Sequence, residues 1–178
     1  MGTTPSATER HREYEVRRRE RAITLAREAD QMYQKVRHMA MLRGFWCRLR
    51  GHAYHLPQST DLLEDTIPLA VTVSGIVHIP LRQIIGSEDR GEDFDCNFAP
   101  LQGHTRERWC RVALAWLEGT ALEPVQLVQV GNFYLVRDGH HRVSVARAFG
   151  AVTLEAVVVQ CFAVASAHRP STIQVAYD

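Results

Sequence analysis

Apolar residues recur at helical spacing through the first third of the chain. Leu25, Ala29, Met32, Val36, Met39 and Trp46 lie three, four or seven positions apart, which puts one apolar stripe on a helix. Arg17, Arg18, Arg19, Arg21, Arg27, Lys35 and Arg37 cover much of the remaining surface. The pattern predicts a long basic amphipathic helix over residues 9–50, with Gly44 interrupting it or ending its main part. Residues 1–8 are expected to be disordered, and residues 51–66 read as a linker.

From Ile67 the period shortens to two. Val71 and Val73 alternate, Gly75 breaks the run, and Val77 and Ile79 resume it, as in strands. Thr105 to Leu117 is helical again, with Thr105 placed to cap it and Trp109, Val112, Ala113, Trp116 and Leu117 on one face. Gly119 stops that helix. "PVQLVQVGNFYLV" predicts a hairpin turning at Gly131-Asn132. Asp138-Gly139 ends its second strand. A short helix follows over His141–Phe149, with Gly150 as its stop, and "VTLEAVVVQCF" is a buried strand. Residues 163–178 lose periodicity and read as a tail. The expected class is α+β: a small mixed sheet with inserted helices over residues 67–162, preceded by the long basic helix.

Composition narrows the class. The chain has 178 residues, 46% hydrophobic and 23% charged, which fits one folded domain with an extension and excludes a disordered or fibrous chain. It contains no apolar run of about 18 residues, so no membrane span is expected. The opening MGTTPSATERHREYE lacks an apolar signal core, and Cys47, Cys96, Cys110 and Cys161 show no CxxC spacing. Together these predict reduced thiols in a cytoplasmic protein.

Charge is unevenly spread. Residues 1–55 hold 12 Lys/Arg against 6 Asp/Glu, or +6, and residues 56–178 hold 9 against 14, or −5. Three partners fit the basic helix. It can pack on its own domain or on a second copy as a homodimer, through a seam of Leu25, Met32, Met39 and Trp46 that also carries Arg43. It can hold a DNA backbone without reading sequence, through Arg17, Arg18, Arg19 and Arg21. It can lie on a membrane, helped by Phe45 and Trp46.

Three clusters carry candidate chemistry. Cys47, His52 and His55 could ligate a metal but lack a fourth partner. Asp89, Glu92, Asp93 and Asp95 crowd one loop, where they could hold magnesium, act as a base, or be solvated. The third is "YLVRDGHHRVSVARAFG". A strand entering a helix through glycine leaves the first helical amides unpaired, and the helix dipole adds partial positive charge, so the turn can bind an anion. Gly139 permits close approach, Arg142 can grip a phosphate through two hydrogen bonds, and His140 and His141 add donors that charge below about pH 6.5. Asp138 can cap the helix, orient a histidine, or hold a metal accompanying the phosphates. The alternative is a plain cap and turn with solvated histidines.

The order of these elements also matters. "IPLRQI", a loop, a helix ending in glycine, "PVQLVQV", "FYLVRDGHHR", a second helix ending in glycine and a strand follow one another from about Ile79 to Val159. This order resembles the N-terminal domain of the ParB family and the related sulfiredoxins. Where ParB proteins have Gly-Glu-Arg-Arg in a CTP site and sulfiredoxins have Gly-Cys-His-Arg on ATP phosphates, this chain has Gly139-His140-His141-Arg142. The resemblance implies a nucleotide triphosphate, CTP or ATP, held at these four residues, with Mg2+ as an accompanying ion. It further implies phosphoryl transfer or nucleotide hydrolysis, with Asp138, His140 and Glu88 as catalytic candidates beside Asp89, Glu92 and Asp93. His140 stands where sulfiredoxins carry their catalytic cysteine, so reductase chemistry is not expected. The Glu-Asn-x-x-Arg motif and the helix-turn-helix of ParB proteins have no counterpart after Gln160. The remaining expectation is a DNA-associated or adaptor protein that works through its N-terminal helix.

Overall fold

The computed structural model describes residues 7–59, 66–68 and 74–164. Helix α1 spans Ala7–Arg50, α2 Arg106–Leu117 and α3 His140–Ala148. The strands are β1 Thr66–Pro68, β2 Val77–Pro80, β3 Ile84–Ser87, β4 Val125–Val130, β5 Phe133–Asp138 and β6 Thr153–Val164. They form one mixed sheet in the order β1-β6-β4-β5-β3, and β2 pairs with the other end of the long β6. β4 and β5 are the expected hairpin, while β4 runs parallel to β6 and β3 parallel to β5. The fold is α+β, with a long N-terminal helix before the sheet. Among the described residues, no helix is long and apolar enough to cross a membrane.

One face of the sheet packs on α3 and the loop before α2, burying Ile84, Phe94, Phe98, Val125, Leu127 and Val143 among others. A second cluster joins the helices: Ala29 and Tyr33 of α1, Trp109 and Ala113 of α2, and Val145 of α3. The Trp109 indole donates to Ser144 Oγ at 2.8 Å, which ties α2 to α3. Thr105 does not cap α2 with its side chain; its hydroxyl donates to the Gln102 carbonyl at 2.6 Å.

Helix α1 departs from expectation in two ways. Its docked face runs through Ala29, Tyr33, Ala40 and Gly44, while Met39 and Trp46 are 46% and 52% exposed. The periodicity was real, but the partner surface selects a stripe rotated from the most apolar one. Gly44 also leaves the helix unbroken. A Cβ there would stand 2.8 Å from Tyr54 Cζ, so the missing side chain lets the chain fold back under α1. The Tyr54 hydroxyl donates to the Ala40 carbonyl at 2.6 Å, and burial beside Asp95 pushes its pKa up to about 12.

The stretch read as a linker is held against the body where it is described. Leu56 is buried, the Pro57 carbonyl accepts from the Ser87 amide, and Ser59 Oγ donates to the Glu88 carbonyl at 2.8 Å. The expected strand residues Val71 and Val73 lie outside the described residues. So do the first six positions of the expected disordered terminus and residues 165–178 of the expected tail. Ala7 and Thr8 belong to α1.

Candidate functional site

The Asp-Gly-His-His-Arg turn lies where β5 hands over to α3. Gly139 adopts φ +100°, and a Cβ on it would come 2.6 Å from Val125 Cγ1, so the turn requires glycine on both counts. The first amide closed within the helix is that of Val143, which donates to the Gly139 carbonyl at 3.0 Å. Among the described residues no side chain caps the amides of His140, His141 and Arg142. The same three residues line a pocket of about 340 Å³ whose walls also include Arg90, Arg108, Leu122, Glu123 and Asp138.

The histidines are buried and neutral, not solvated cations. Ser87 Oγ accepts from the Arg90 amide at 2.8 Å and lies 2.7 Å from His140 Nε2. With its two lone pairs engaged by that amide and by the Asp89 amide at 3.3 Å, Ser87 turns its proton to the ring. Nε2 is then the acceptor, and the imidazole proton sits on Nδ1. Phe94 stacks on His140 at 5.8 Å and meets His141 edge-on at 5.4 Å. Burial pushes both imidazoles down to about 4, reinforced by Arg90 at His140 and by Arg108 and Arg90 at His141. His141 Nδ1 is buried without a hydrogen-bond partner.

Arg142 faces its own chain. Its guanidinium donates to the Glu123 and Pro124 carbonyls at 2.5 and 2.9 Å and to Asp138 Oδ2 at 2.5 Å. It therefore ties the entry of β4 to the start of α3, and the phosphate grip expected of it is already engaged. Asp138 is correspondingly drawn to Arg142 across one helical turn and does not cap the helix. The pocket's other cations are Arg90 and Arg108, which sequence reasoning missed. Arg90 pairs with Asp93 three residues on. Arg108 projects from α2, is exposed, and has no ion-pair partner among the described residues. Neither lies near the turn in sequence, so only tertiary contact could disclose them.

Of the acidic candidates, Glu88, Asp93 and Asp95 are engaged, while Asp89 and Glu92 stand exposed. Glu88 forms a two-pronged pair with Arg137, whose hydrogen bonds hold its carboxyl below the usual range. Asp95 is fully buried and bound by Arg43. Asp93 is bound by Arg90. The arginine expected to spoil an apolar seam on α1 thus neutralises a buried carboxylate. No group of three His, Cys, Asp or Glu able to hold a metal occurs among the described residues, so Cys47, His52 and His55 do not assemble a zinc site. Glu88, Asp93 and Asp95 are already paired with guanidinium groups and are not free to ligate a magnesium ion. Burial raises the Cys96 and Cys110 thiols, which makes neither a ready nucleophile. Arg17, Arg18, Arg19 and Arg21 stand exposed on the first half of α1, away from the pocket.

No protein-family model, curated protein or solved structure matches the chain. The chemistry of the pocket rests on its own geometry: uncapped helical amides, two arginines and a floor of neutral imidazoles suit a multiply charged anion.

Proposed function

We propose that this chain is a nucleotide-binding module that holds the phosphates of a nucleoside triphosphate at the start of α3. One observation carries the reading. The amides of His140, His141 and Arg142 have no side-chain cap, and these residues line a pocket together with Arg90 and Arg108. A triphosphate matches that set in charge and acceptor count, and the likeness to ParB proteins and sulfiredoxins favours CTP or ATP over a simple anion. Arg108 is the exposed cation free to close on the phosphates, and Arg90 would share itself between them and Asp93. Arg142 acts one step back, holding the turn in shape.

These groups support binding more directly than catalysis. A hydrolytic or phosphoryl-transfer step needs a base; the pocket's carboxylates are Glu123 and Asp138, and Asp138 is held by Arg142. Calorimetric titration of CTP, ATP, GTP and ADP, with and without magnesium, tests the reading. Binding is expected to weaken by about tenfold in Arg108→Ala, the worth of one charge-assisted contact of about 1.4 kcal/mol. That substitution should leave stability within about 0.5 kcal/mol, because the side chain is exposed. No binding of any nucleotide at millimolar concentration would end the proposal.

A further inference from the structure

The last turns of α1 carry a second apolar face, and it is uncovered. Met39, Met41, Leu42, Phe45, Trp46 and Leu49 are 44% to 68% exposed. Met41, Phe45 and Leu49 stand four residues apart, and so do Leu42 and Trp46, so they form one broad stripe. At roughly 100° per residue this stripe lies opposite the docked residues Ala40, Gly44 and Cys47. The body therefore sits on the far side of the helix and leaves the stripe clear. Monomeric soluble surfaces scatter single apolar residues, but a run of six on one helix face marks a contact surface.

Charge identifies the partner. Residues 31–50 hold Lys35, Arg37, Arg43, Arg48 and Arg50 and no Asp or Glu, whereas residues 7–30 hold seven arginines against six acids. The arm's positive charge is thus concentrated beside the apolar stripe, not at the Arg17–Arg21 cluster. Arg48 and Arg37 flank one edge of the stripe and Arg50 the other, and the Arg50 guanidinium lies 5.7 Å from the centre of the Trp46 ring. Arg43 is taken up by Asp95, so a second copy meeting this face would bring Lys35, Arg37, Arg48 and Arg50 against the same four, with no acid in residues 31–50 to balance them. A nucleic acid would satisfy the cations but leave Met41, Phe45 and Leu49 against phosphate. A surface that is both apolar and negative satisfies both halves. We infer that residues 38–50 of α1 lie in the interface of an anionic lipid membrane, with the apolar stripe among the upper acyl chains and Arg48 and Arg50 at the headgroups.

Flotation of the full chain with vesicles tests this. Binding is expected to phosphatidylcholine vesicles containing phosphatidylserine and not to phosphatidylcholine alone, with Trp46 emission shifting to the blue and the shift lost in Trp46→Phe. The triple variant Leu42→Gln, Phe45→Gln, Leu49→Gln alters exposed positions only, so its melting temperature should hold while vesicle affinity falls by about tenfold or more. Reversing Arg48 and Arg50 to glutamate should produce a comparable loss, and added salt should weaken the parent chain. Failure to float with phosphatidylserine vesicles would overturn the inference. So would unchanged affinity in both variants, or a lipid-free dimer that the triple variant dissociates.

Discussion

Two turns in this molecule start from an aspartate and end differently. At Asp95 the carboxylate folds over its own loop: Oδ1 accepts from the Asn97 and Ala99 amides at 2.9 and 2.8 Å, and Oδ2 takes the Arg43 fork from α1. The protein supplies its own anion there, and the arginine neutralises it. At Asp138 the carboxylate is drawn sideways to Arg142, and the amides of His140, His141 and Arg142 receive no side chain. One aspartate fills its own turn and the other leaves the following helix start without a side-chain cap. The position of the nearest guanidinium decides which. Arg43 reaches Asp95 from α1 and leaves the turn amides free to use Oδ1, whereas Arg142, four residues after Asp138 in the first turn of α3, draws its partner to itself.

The largest consequence falls at the closed turn. Asp95→Ala strands a half-buried Arg43, unpairs two amides and removes the reason for Phe98 to hold φ +63°. Loss of one partner of a buried ion pair costs about 3 to 5 kcal/mol, so the urea midpoint should fall steeply. A drop below about 1 kcal/mol would mean that the two turns do not differ as described.

Protonation acts next, at the open turn. His140 and His141 have folded pKa values of about 4 against 6.5, so the fold favours their neutral forms. Their contribution is complete above about pH 6.5 and is lost as the pH falls from there through 4. Each shift corresponds to at most about 3 kcal/mol. Urea unfolding between pH 7 and 4.5 should show this loss, and His140→Gln should flatten its share. A bound anion opposes the trend, because it favours the charged rings; affinity for triphosphate should rise over the same interval.

Much of the local architecture was legible from the residues. The hairpin at Gly131-Asn132, the bounds of α2 and the helix after Gly139 rest on short-range signals that tertiary packing did not override. The location of an open helix start at Gly139 was legible for the same reason. What escaped was long-range. Arg90 and Arg108 come to the pocket from other elements, and the Glu123 and Pro124 carbonyls that hold Arg142 lie 19 and 18 residues away. That His140 and His141 are buried, neither solvated nor readily charged, is invisible along the chain because Phe94 covers them from another element. Gly44 was read for its backbone freedom, when its role is to leave room for Tyr54. Which apolar stripe of α1 docks depends on the shape of α2, not on hydrophobicity alone.

The mildest change lies at the rim of the pocket. Asp138→Asn removes a negative charge from the rim of the pocket while keeping a side chain that can still accept from Arg142. The carboxylate is half exposed, so the stability change should stay near or below about 1 kcal/mol. A triphosphate, however, would no longer face a carboxylate beside the uncapped amides. Its affinity should rise several-fold at low salt, and the gain should shrink as salt screens the rim. The same exchange at Asp95 must do the opposite, since that carboxylate is the anion its turn amides already bind. Asparagine there would weaken the fold without gaining any affinity for phosphate. If both asparagine variants behave alike, in either direction, the distinction between a turn that closes on its own aspartate and one that opens to solvent is wrong.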